Sequence, residues 1–260
     1  MQPSRIRQKL NAGELIITAK SNFQSPDVLE MYGRTGFDGI WLCQEHAQYD
    51  PSSLYHLIRA CRLGNTDAII RMKPGNYSDL IWVLEAGARG IMVPRVQHVD
   101  EARWIAKAMK FPPRGDRGLD GVGPEADFGL GNLKDYLEEA NRESFLLIQI
   151  EDPEVIPHID SIAATPDVDV LFVGPGDLST ALGDPGNPDN PKVIEIMKAV
   201  VAACAKHGKT AGVPAVPGTI EKYMEMGFRF FNLGSDYRFI TAGLNSTREE
   251  LGKRGITLGS

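Results

Sequence analysis

The chain has 260 residues, of which 42% are hydrophobic and 24% are charged, and its formal net charge at pH 7 is −6. This length and composition suffice for one substantial core, so we expect a single domain over residues 1–260. A negative charge without a basic run argues against nucleic acid or an anionic membrane as a partner, and no apolar stretch approaches the roughly 20 residues that span a bilayer.

Short apolar runs alternate with amphipathic segments along the chain. The runs predicted to be strands are, in order, Leu15–Thr18, Gly39–Cys43, Ala68–Arg71, Gly90–Val93, Phe145–Ile150, Val168–Val173, Thr210–Gly212 and Phe230–Leu233. Predicted helices between them include Pro26–Thr35, Asp79–Ala86, Val99–Met109 and Pro191–His207. Strands that alternate with helices in this number predict a (β/α)₈ barrel, and an open doubly wound sheet is the alternative.

One connection is longer than this alternation needs. The segment from Phe111 to about Leu133 is rich in glycine and proline. Long connections within a compact domain usually carry function or contact another subunit. We therefore expect this segment to be functional or to form an assembly surface.

The cysteines and the first residues bear on the compartment. Cys43, Cys61 and Cys204 are an odd number without metal-binding spacing, which is typical of reduced thiols. The first ten residues are polar and lack the apolar run of a signal peptide. We therefore expect a cytoplasmic protein.

Two acidic residues follow consecutive predicted strands. The fifth strand leads into Glu151, and the sixth leads into Gly174-Pro-Gly-Asp177. Continuous apolar runs are typical of strands buried on both faces of a parallel sheet. Because the carboxyl ends of neighbouring parallel strands meet at one edge, the two carboxylates should face each other. Such hard oxygen ligands suit a divalent cation such as Mg²⁺ or Mn²⁺.

Other polar residues follow the carboxyl ends of further strands, where barrel enzymes build their active sites. His46 comes just after the second strand, Arg71 ends the third, and Gln149 lies near the end of the fifth. Several of these polar residues also have an ordinary structural explanation: His46 could be a solvated loop residue, Arg71 could pair with a carboxylate, and Glu151 or Asp177 could cap the following helix. Their coincidence at one face favours an active site.

These motifs together resemble one known family. The pattern resembles that of the HpcH/HpaI aldolases, which are metal-dependent class II pyruvate aldolases. The matching motifs are Glu45-His46, Arg71, Gln149-x-Glu151 and Gly174-Pro-x-Asp177. The likeness covers about Leu10 to Gly243. It implies a (β/α)₈ TIM barrel of the phosphoenolpyruvate/pyruvate-binding type. It also implies a homo-oligomer, a trimer or hexamer, with a C-terminal helix exchanged between subunits.

The resemblance implies a role for each matching residue. Glu151 and Asp177 would hold the divalent cation, which would be Mg²⁺, Mn²⁺ or Co²⁺. Arg71 would neutralise the enolate oxygen of pyruvate, and His46 would be the acid/base near the aldol hydroxyl. Contacts to the 2-oxo acid would come from Gln149 and from the backbone amides of Gly176 and Asp177. The small-molecule partners would be a 2-oxo acid and an aldehyde.

Three features depart from the family's pattern. Cys43 replaces an Asp that contacts the catalytic histidine, and Glu85 stands where a second Asp does so, which makes Glu85 the expected catalytic partner of His46. Lys20 replaces a residue that is commonly aromatic, and a cation there would favour an acidic substrate. The stretch Gly212–Pro214 replaces a more apolar one, which would reshape the pocket wall.

These expectations converge on a metal-dependent carbon–carbon lyase that makes or breaks the bond between a pyruvate enolate and an aldehyde. Decarboxylation of oxaloacetate would use the same enolate. A Schiff base on Lys20 is a further alternative, but the neighbouring sequence does not indicate the burial that a reactive amine needs. The alternative of another class is a non-catalytic barrel that binds a 2-oxo acid, which only the change at Cys43 supports.

Overall fold

A computed structural model describes residues 2–259, in which parallel strands form a closed barrel. The strands are β1 Ile16–Ser21, β2 Gly39–Cys43, β3 Asp67–Arg71, β4 Gly90–Val93, β5 Phe145–Ile150, β6 Val170–Val173, β7 Thr210–Pro214 and β8 Phe230–Ser235. Each strand pairs with the next along the chain, and β8 pairs with β1. The predicted (β/α)₈ barrel is confirmed, and the open doubly wound sheet is wrong. The predicted domain also includes Met1 and Ser260, which lie outside the described residues.

Helices cover the sides of the barrel and one of its ends. They are α1 Arg5–Ala12, α2 Pro26–Arg34, α3 Pro51–Leu63, α4 Tyr77–Glu85, α5 Val99–Met109, α6 Leu133–Glu143, α7 Ile159–Ala163, α8 Pro175–Ala181, α9 Pro191–His207, α10 Ile220–Met226 and α11 Asp236–Lys253. Helix α9 has the predicted bounds: Pro191 opens it, and Gly208, with φ of 65°, follows its last residue. Between residues 2 and 259, no helix is both long and apolar enough to cross a membrane.

Three strands, β1, β7 and β8, reach further toward their carboxyl ends than the apolar runs indicate. β1 continues through Lys20 to Ser21, and β8 continues to Ser235. Apolar patterning marks only the part of a strand that lies in the core, whereas the ends at the barrel mouth carry polar side chains. Lys20 therefore belongs to a strand, with its position fixed by the sheet.

Inward-facing side chains fill the barrel. Trp41, Phe145 and Phe172 are each at most 7% exposed within it. Glycines make room for these rings: a Cβ on Gly90 would lie 2.3 Å from the Phe145 ring, and one on Gly212 would lie 2.6 Å from the Phe172 ring. The interior is a packed core that leaves a site only at an end.

The lower end of the barrel, at the amino ends of the strands, is closed by α1. Ile6 is fully buried against the barrel interior, and its Cδ1 lies 2.5 Å from where a Cβ on Gly39 would stand. Asp67 holds the helix start, because its carboxylate accepts hydrogen bonds from the Ser4 hydroxyl at 2.7 Å and the Ile6 N–H at 2.8 Å. A packed helix therefore seals this end.

The long connection between α5 and α6 also lies away from the carboxyl ends of the strands, because α5 runs back from them and α6 leads directly into β5. A buried ion pair between Arg117 and Glu125 holds it, and the Tyr136 hydroxyl donates to Glu125 at 2.8 Å. Large apolar side chains of this connection are 51–82% exposed, namely Leu119, Val122, Phe128, Leu130 and Leu133. These exposed side chains suit an assembly surface, which stays a prediction.

The buried Asp67 should make stability depend on pH. Burial raises the pKa of Asp67 to about 6, whereas an unfolded aspartate ionises near pH 4. Between these values only the folded state keeps the proton, so this residue's contribution to the free energy of unfolding falls as pH rises from about 4 to 6. Asp67→Asn should remove roughly 2–3 kcal/mol of that loss. Urea unfolding of wild type and of Asp67→Asn at about pH 4 and pH 6.5 measures this difference. The prediction would be contradicted if the free energy of unfolding changed equally in the two proteins between these pH values.

Candidate active site

Glu151 lies at the carboxyl end of β5 and is 5% exposed. Its Oε1 accepts a hydrogen bond from the Arg95 N–H at 2.9 Å, and its Oε2 accepts one from Gln149 Nε2 at 2.8 Å. Burial, followed by the negative charges of Asp177 and Glu45, raises the pKa of Glu151 to about 7. A bound cation would relieve both effects, because it would replace the lost water and offset the neighbouring charge.

Asp177 stands in the first turn of α8 and shares a small space with Glu151 at Gly174. A Cβ on Gly174 would lie 2.9 Å from Glu151 Oε2 and 3.8 Å from Asp177 Oδ2. Any side chain there would push into the gap that the two carboxylates face. The predicted meeting of Glu151 and Asp177 at one edge of the sheet agrees with this arrangement, and Gly176 lies in the same exposed turn.

Arg71 is the last residue of β3. It is only 5% exposed, and several side chains contact its guanidinium. Its Nε and Nη2 donate to Cys43 Sγ at 3.2 and 2.8 Å, and its Nη1 lies 3.5 Å from Gln149 Oε1. Its guanidinium carbon stands 4.7 Å from the centre of the Trp41 ring. These contacts fix the guanidinium in the barrel mouth with one edge toward Glu45, whose Oε2 lies 3.1 Å from Nη1.

His46 follows β2 in a turn and its side chain is 64% exposed. Its Nε2 lies 3.8 Å from Glu45 Oε2, and its backbone N–H donates to Cys43 Sγ at 3.3 Å. Cys43 therefore holds the turn and Arg71 rather than the imidazole ring. The carboxylate beside the imidazole is that of Glu45.

Glu85, the expected partner of His46, lies far from it in this chain, and the partnership stays a prediction. Glu85 is the last residue of α4, which leads into the amino end of β4, whereas His46 follows the carboxyl end of β2. Its neighbours are in the long connection, where Arg117 lies close enough to affect its pKa and a Cβ on Gly123 would lie 3.7 Å from its own. Glu85 and His46 lie at opposite ends of the barrel.

Lys20 lies near the end of β1 and faces the same mouth. Its Nζ is 6.0 Å from the centre of the Trp41 ring. The predicted residues that meet at this end are thus His46, Arg71, Gln149, Glu151, Gly176, Asp177 and Lys20. Every member of that set lies at the carboxyl end of a strand or follows it.

Three further groups at this end, Glu45, the Arg95 N–H and Trp41, were not predicted from the sequence to have a role. Glu45 adjoins His46, and of the two only His46 was predicted to have a role. A carboxylate that directly follows a strand also indicates a site residue, so Glu45 could have been predicted. Trp41 alternates with Cys43 on one face of β2, so its inward direction was readable from the strand period. The Arg95 N–H carries no signal in the sequence, since a backbone donor depends on the shape of the loop.

Comparisons with known proteins agree with this geometry. Residues 21–242 match the family HpcH/HpaI aldolase/citrate lyase. A hydroxypyruvate/pyruvate aldolase of Pseudomonas aeruginosa is 31% identical, over 96% of this chain and 92% of that protein. A 5-keto-4-deoxy-D-glucarate aldolase of Enterobacter sp. (strain 638) is 32% identical, over 90% of this chain and 91% of that protein. The crystal structure of an HpcH/HpaI aldolase/citrate lyase family protein from Burkholderia cenocepacia J2315 superposes with a TM-score of 0.86 at 29% identity, over 96% and 98% of the chains.

Proposed function

This chain belongs to the HpcH/HpaI aldolase/citrate lyase family, and from that premise we propose the reaction of its barrel mouth. It is a carbon–carbon lyase of the aldolase class, as the sequence predicts. The proposed reaction cleaves or forms a 4-hydroxy-2-oxo acid, with a pyruvate enolate and an aldehyde as the two fragments. The observation that carries this proposal is the approach of the Glu151 and Asp177 carboxylates at Gly174, in a mouth that also contains Arg71.

The donor set fits a divalent cation held by Glu151 and Asp177. Both offer carboxylate oxygens, and Gly174 leaves the space between them free of a side chain. Within residues 2–259, no group of three or more His, Cys, Asp or Glu side chains is placed so that it could hold a metal ion. Substrate and water oxygens would therefore complete the shell, as is usual for Mg²⁺ and suits Mn²⁺ or Co²⁺. When bound, the cation would supply positive charge that polarises the 2-oxo group.

Arg71 is the residue that would neutralise the enolate oxygen. Its guanidinium is already oriented by Cys43, Gln149 and the Trp41 ring, so little reorganisation would be needed as negative charge develops. Gln149 also holds Glu151, and it would orient both groups relative to the bound 2-oxo acid. The backbone N–H groups of Gly176 and Asp177 would donate hydrogen bonds to the substrate carboxylate.

His46 would move the proton at the aldol hydroxyl. Its exposed ring stands at the rim, where an aldehyde fragment would enter and leave, and Glu45 lies beside it. In cleavage His46 would accept the hydroxyl proton, directly or through water, and in condensation it would return the proton. Glu45 would orient this ring and Arg71 together, because its Oε2 faces both.

The assembly and the compartment belong to the same proposal. The apolar side chains Tyr237, Phe239, Ile240 and Leu244 of α11 are 39–65% exposed, which supports exchange of this helix between subunits of a trimer or hexamer. Reduced, buried Cys43, Cys61 and Cys204 support a cytoplasmic protein.

Proton exchange at C3 of pyruvate tests the enolate chemistry without an aldehyde. Protein reconstituted with Mg²⁺, Mn²⁺ or Co²⁺ should exchange the methyl protons of pyruvate for deuterium in D₂O, and a chelator should stop the exchange. The same protein should release CO₂ from oxaloacetate if the enolate site accepts it. Absence of exchange with every cation would contradict the aldolase mechanism and leave the non-catalytic barrel. Treatment with borohydride in the presence of pyruvate should leave the mass of the protein unchanged, because the proposed mechanism forms no Schiff base on Lys20.

A further inference from the structure

The loop that follows β4 contains a residue in a backbone conformation that its side chain disfavours. Arg95 has φ of 51°, in the left-handed region that residues other than glycine rarely adopt. Strained residues of this kind persist only where surrounding contacts hold them, and they cluster at functional sites. The contacts of Arg95 therefore indicate which function the strain supports.

Three contacts hold Arg95 in place. Its N–H donates to Glu151 Oε1 at 2.9 Å, and its carbonyl oxygen accepts a hydrogen bond from Lys73 Nζ at 3.0 Å. Its guanidinium pairs with Asp152 Oδ2 at 3.3 Å, but the Arg95 side chain is largely exposed, and an exposed ion pair contributes little. The backbone of Arg95, more than its side chain, therefore connects this loop to the barrel mouth.

The neighbours of Arg95 leave its backbone little freedom. Pro94 comes before it, and the proline ring fixes its own φ. Val96 comes after it and is fully buried in the core. A residue that cannot adopt the left-handed conformation would either pull Val96 out of the core or rotate the peptide between Pro94 and residue 95. Because burial anchors Val96, the peptide would rotate, and the N–H of residue 95 would turn away from Glu151.

That N–H acts on one of the two proposed cation ligands. Glu151 Oε1 accepts it, and Glu151 Oε2 accepts a hydrogen bond from Gln149 Nε2 at 2.8 Å. Each carboxylate oxygen has two lone pairs, so one lone pair on each oxygen remains for a cation. Hydrogen bonds to both oxygens fix the plane of the carboxylate before a cation binds. Loss of such a partner commonly lowers metal affinity by about 10-fold to 100-fold.

We infer that Arg95 is a positioning residue for Glu151: its left-handed backbone aims the N–H at Oε1 and so presents the carboxylate to the divalent cation. The inference rests on the proposed function and deepens it, because it names what prepares the cation site. The requirement is for a backbone conformation and not for a guanidinium. Glycine, which adopts that conformation without cost, can therefore replace Arg95, whereas a β-branched residue cannot.

The test measures the Kd for Mn²⁺ by electron paramagnetic resonance, starting from metal-free protein. Arg95→Val should raise this Kd by about 10-fold to 100-fold, because valine disfavours a positive φ and the hydrogen bond to Glu151 is lost. Arg95→Gly should keep the Kd within about twofold of wild type. Arg95→Met removes only the ion pair with Asp152 and should keep it within about threefold.

Asn65 provides the matched control. It is exposed, has φ of 55° and lies between α3 and β3, at the lower end of the barrel. Asn65→Val imposes the same backbone cost far from Glu151. It should lower the Tm in circular dichroism as Arg95→Val does, but it should leave the Kd for Mn²⁺ as in wild type. General destabilisation would instead weaken Mn²⁺ binding in both variants, and that result would contradict the inference.

An equal Kd in wild type and Arg95→Val, or a loss of affinity in Arg95→Gly as large as in Arg95→Val, would also overturn the inference. Wild type that binds no cation contradicts the proposed metal site instead. In that case amide hydrogen exchange, followed by NMR with isotope-labelled arginine, still tests the contact. The Arg95 N–H should be protected in wild type and in Glu151→Gln but not in Glu151→Ala, and an unprotected N–H in wild type would overturn the inference.

Discussion

Replacing Glu151 with Gln should reduce turnover by roughly 10³-fold or more, because a bound cation contributes several kcal/mol of transition-state stabilisation and needs this anionic ligand. Glutamine keeps the shape of the side chain and its acceptor for the Arg95 N–H. The barrel should therefore stay folded. Asp177→Asn should behave in the same way. Mn²⁺ binding by electron paramagnetic resonance, circular dichroism and turnover together measure these effects.

The matched control for this prediction is Glu154→Gln. Glu154 lies close to Glu151 in the sequence but is exposed in the 3₁₀ helix Pro153–His158. The same chemical change there should leave Mn²⁺ binding and turnover as in wild type. Full activity of Glu151→Gln after exhaustive chelation would show that these carboxylates do not hold a catalytic cation.

Replacing Arg71 with Met should lower turnover by about 10²–10³-fold, the loss typical of one removed oxyanion-stabilising donor. The guanidinium is fixed before substrate binds, so its removal affects the state in which negative charge has developed. Both aldol cleavage and pyruvate proton exchange should fall, while KM for pyruvate should change less than kcat. Arg71→Lys should recover only part of the rate, because an ammonium cannot donate to Cys43 and Gln149 in the same fork.

Arg103→Met is the control for the loss of an arginine. Arg103 is exposed on α5 and pairs with Asp100 at 2.8 Å, so its removal should leave turnover unchanged. A rate of proton exchange in Arg71→Met equal to that of wild type would assign Arg71 to the stability of the mouth instead of the enolate.

The position of a residue relative to a strand was enough to predict most of the candidate site. Glu151, Asp177 and Arg71 end or follow apolar runs, and the carboxyl ends of parallel strands must lie at one end of a barrel. Glu85 precedes a strand, which places it at the opposite end by the same rule. The expected role of Glu85 came from the resemblance alone, and it stays a prediction.

Contacts between strands could not be predicted because they depend on register. Cys43 and Arg71 are paired positions of β2 and β3, and this pairing brings the thiol to the guanidinium. The sequence indicates both strands, but a shift by one residue would send the two side chains to opposite faces. The altered position Cys43 was therefore assigned to the histidine, while the structure places it against the arginine.

Because α1 closes the lower end of the barrel, the proposed site opens only at the opposite end. Ile6 and the aromatic side chains above it are buried on that side, so a ligand of the proposed site would enter and leave through the rim near His46. In the proposed cleavage the pyruvyl part lies deeper than the aldehyde part. The aldehyde would then have to depart first and pyruvate last, which imposes a fixed sequence on product release.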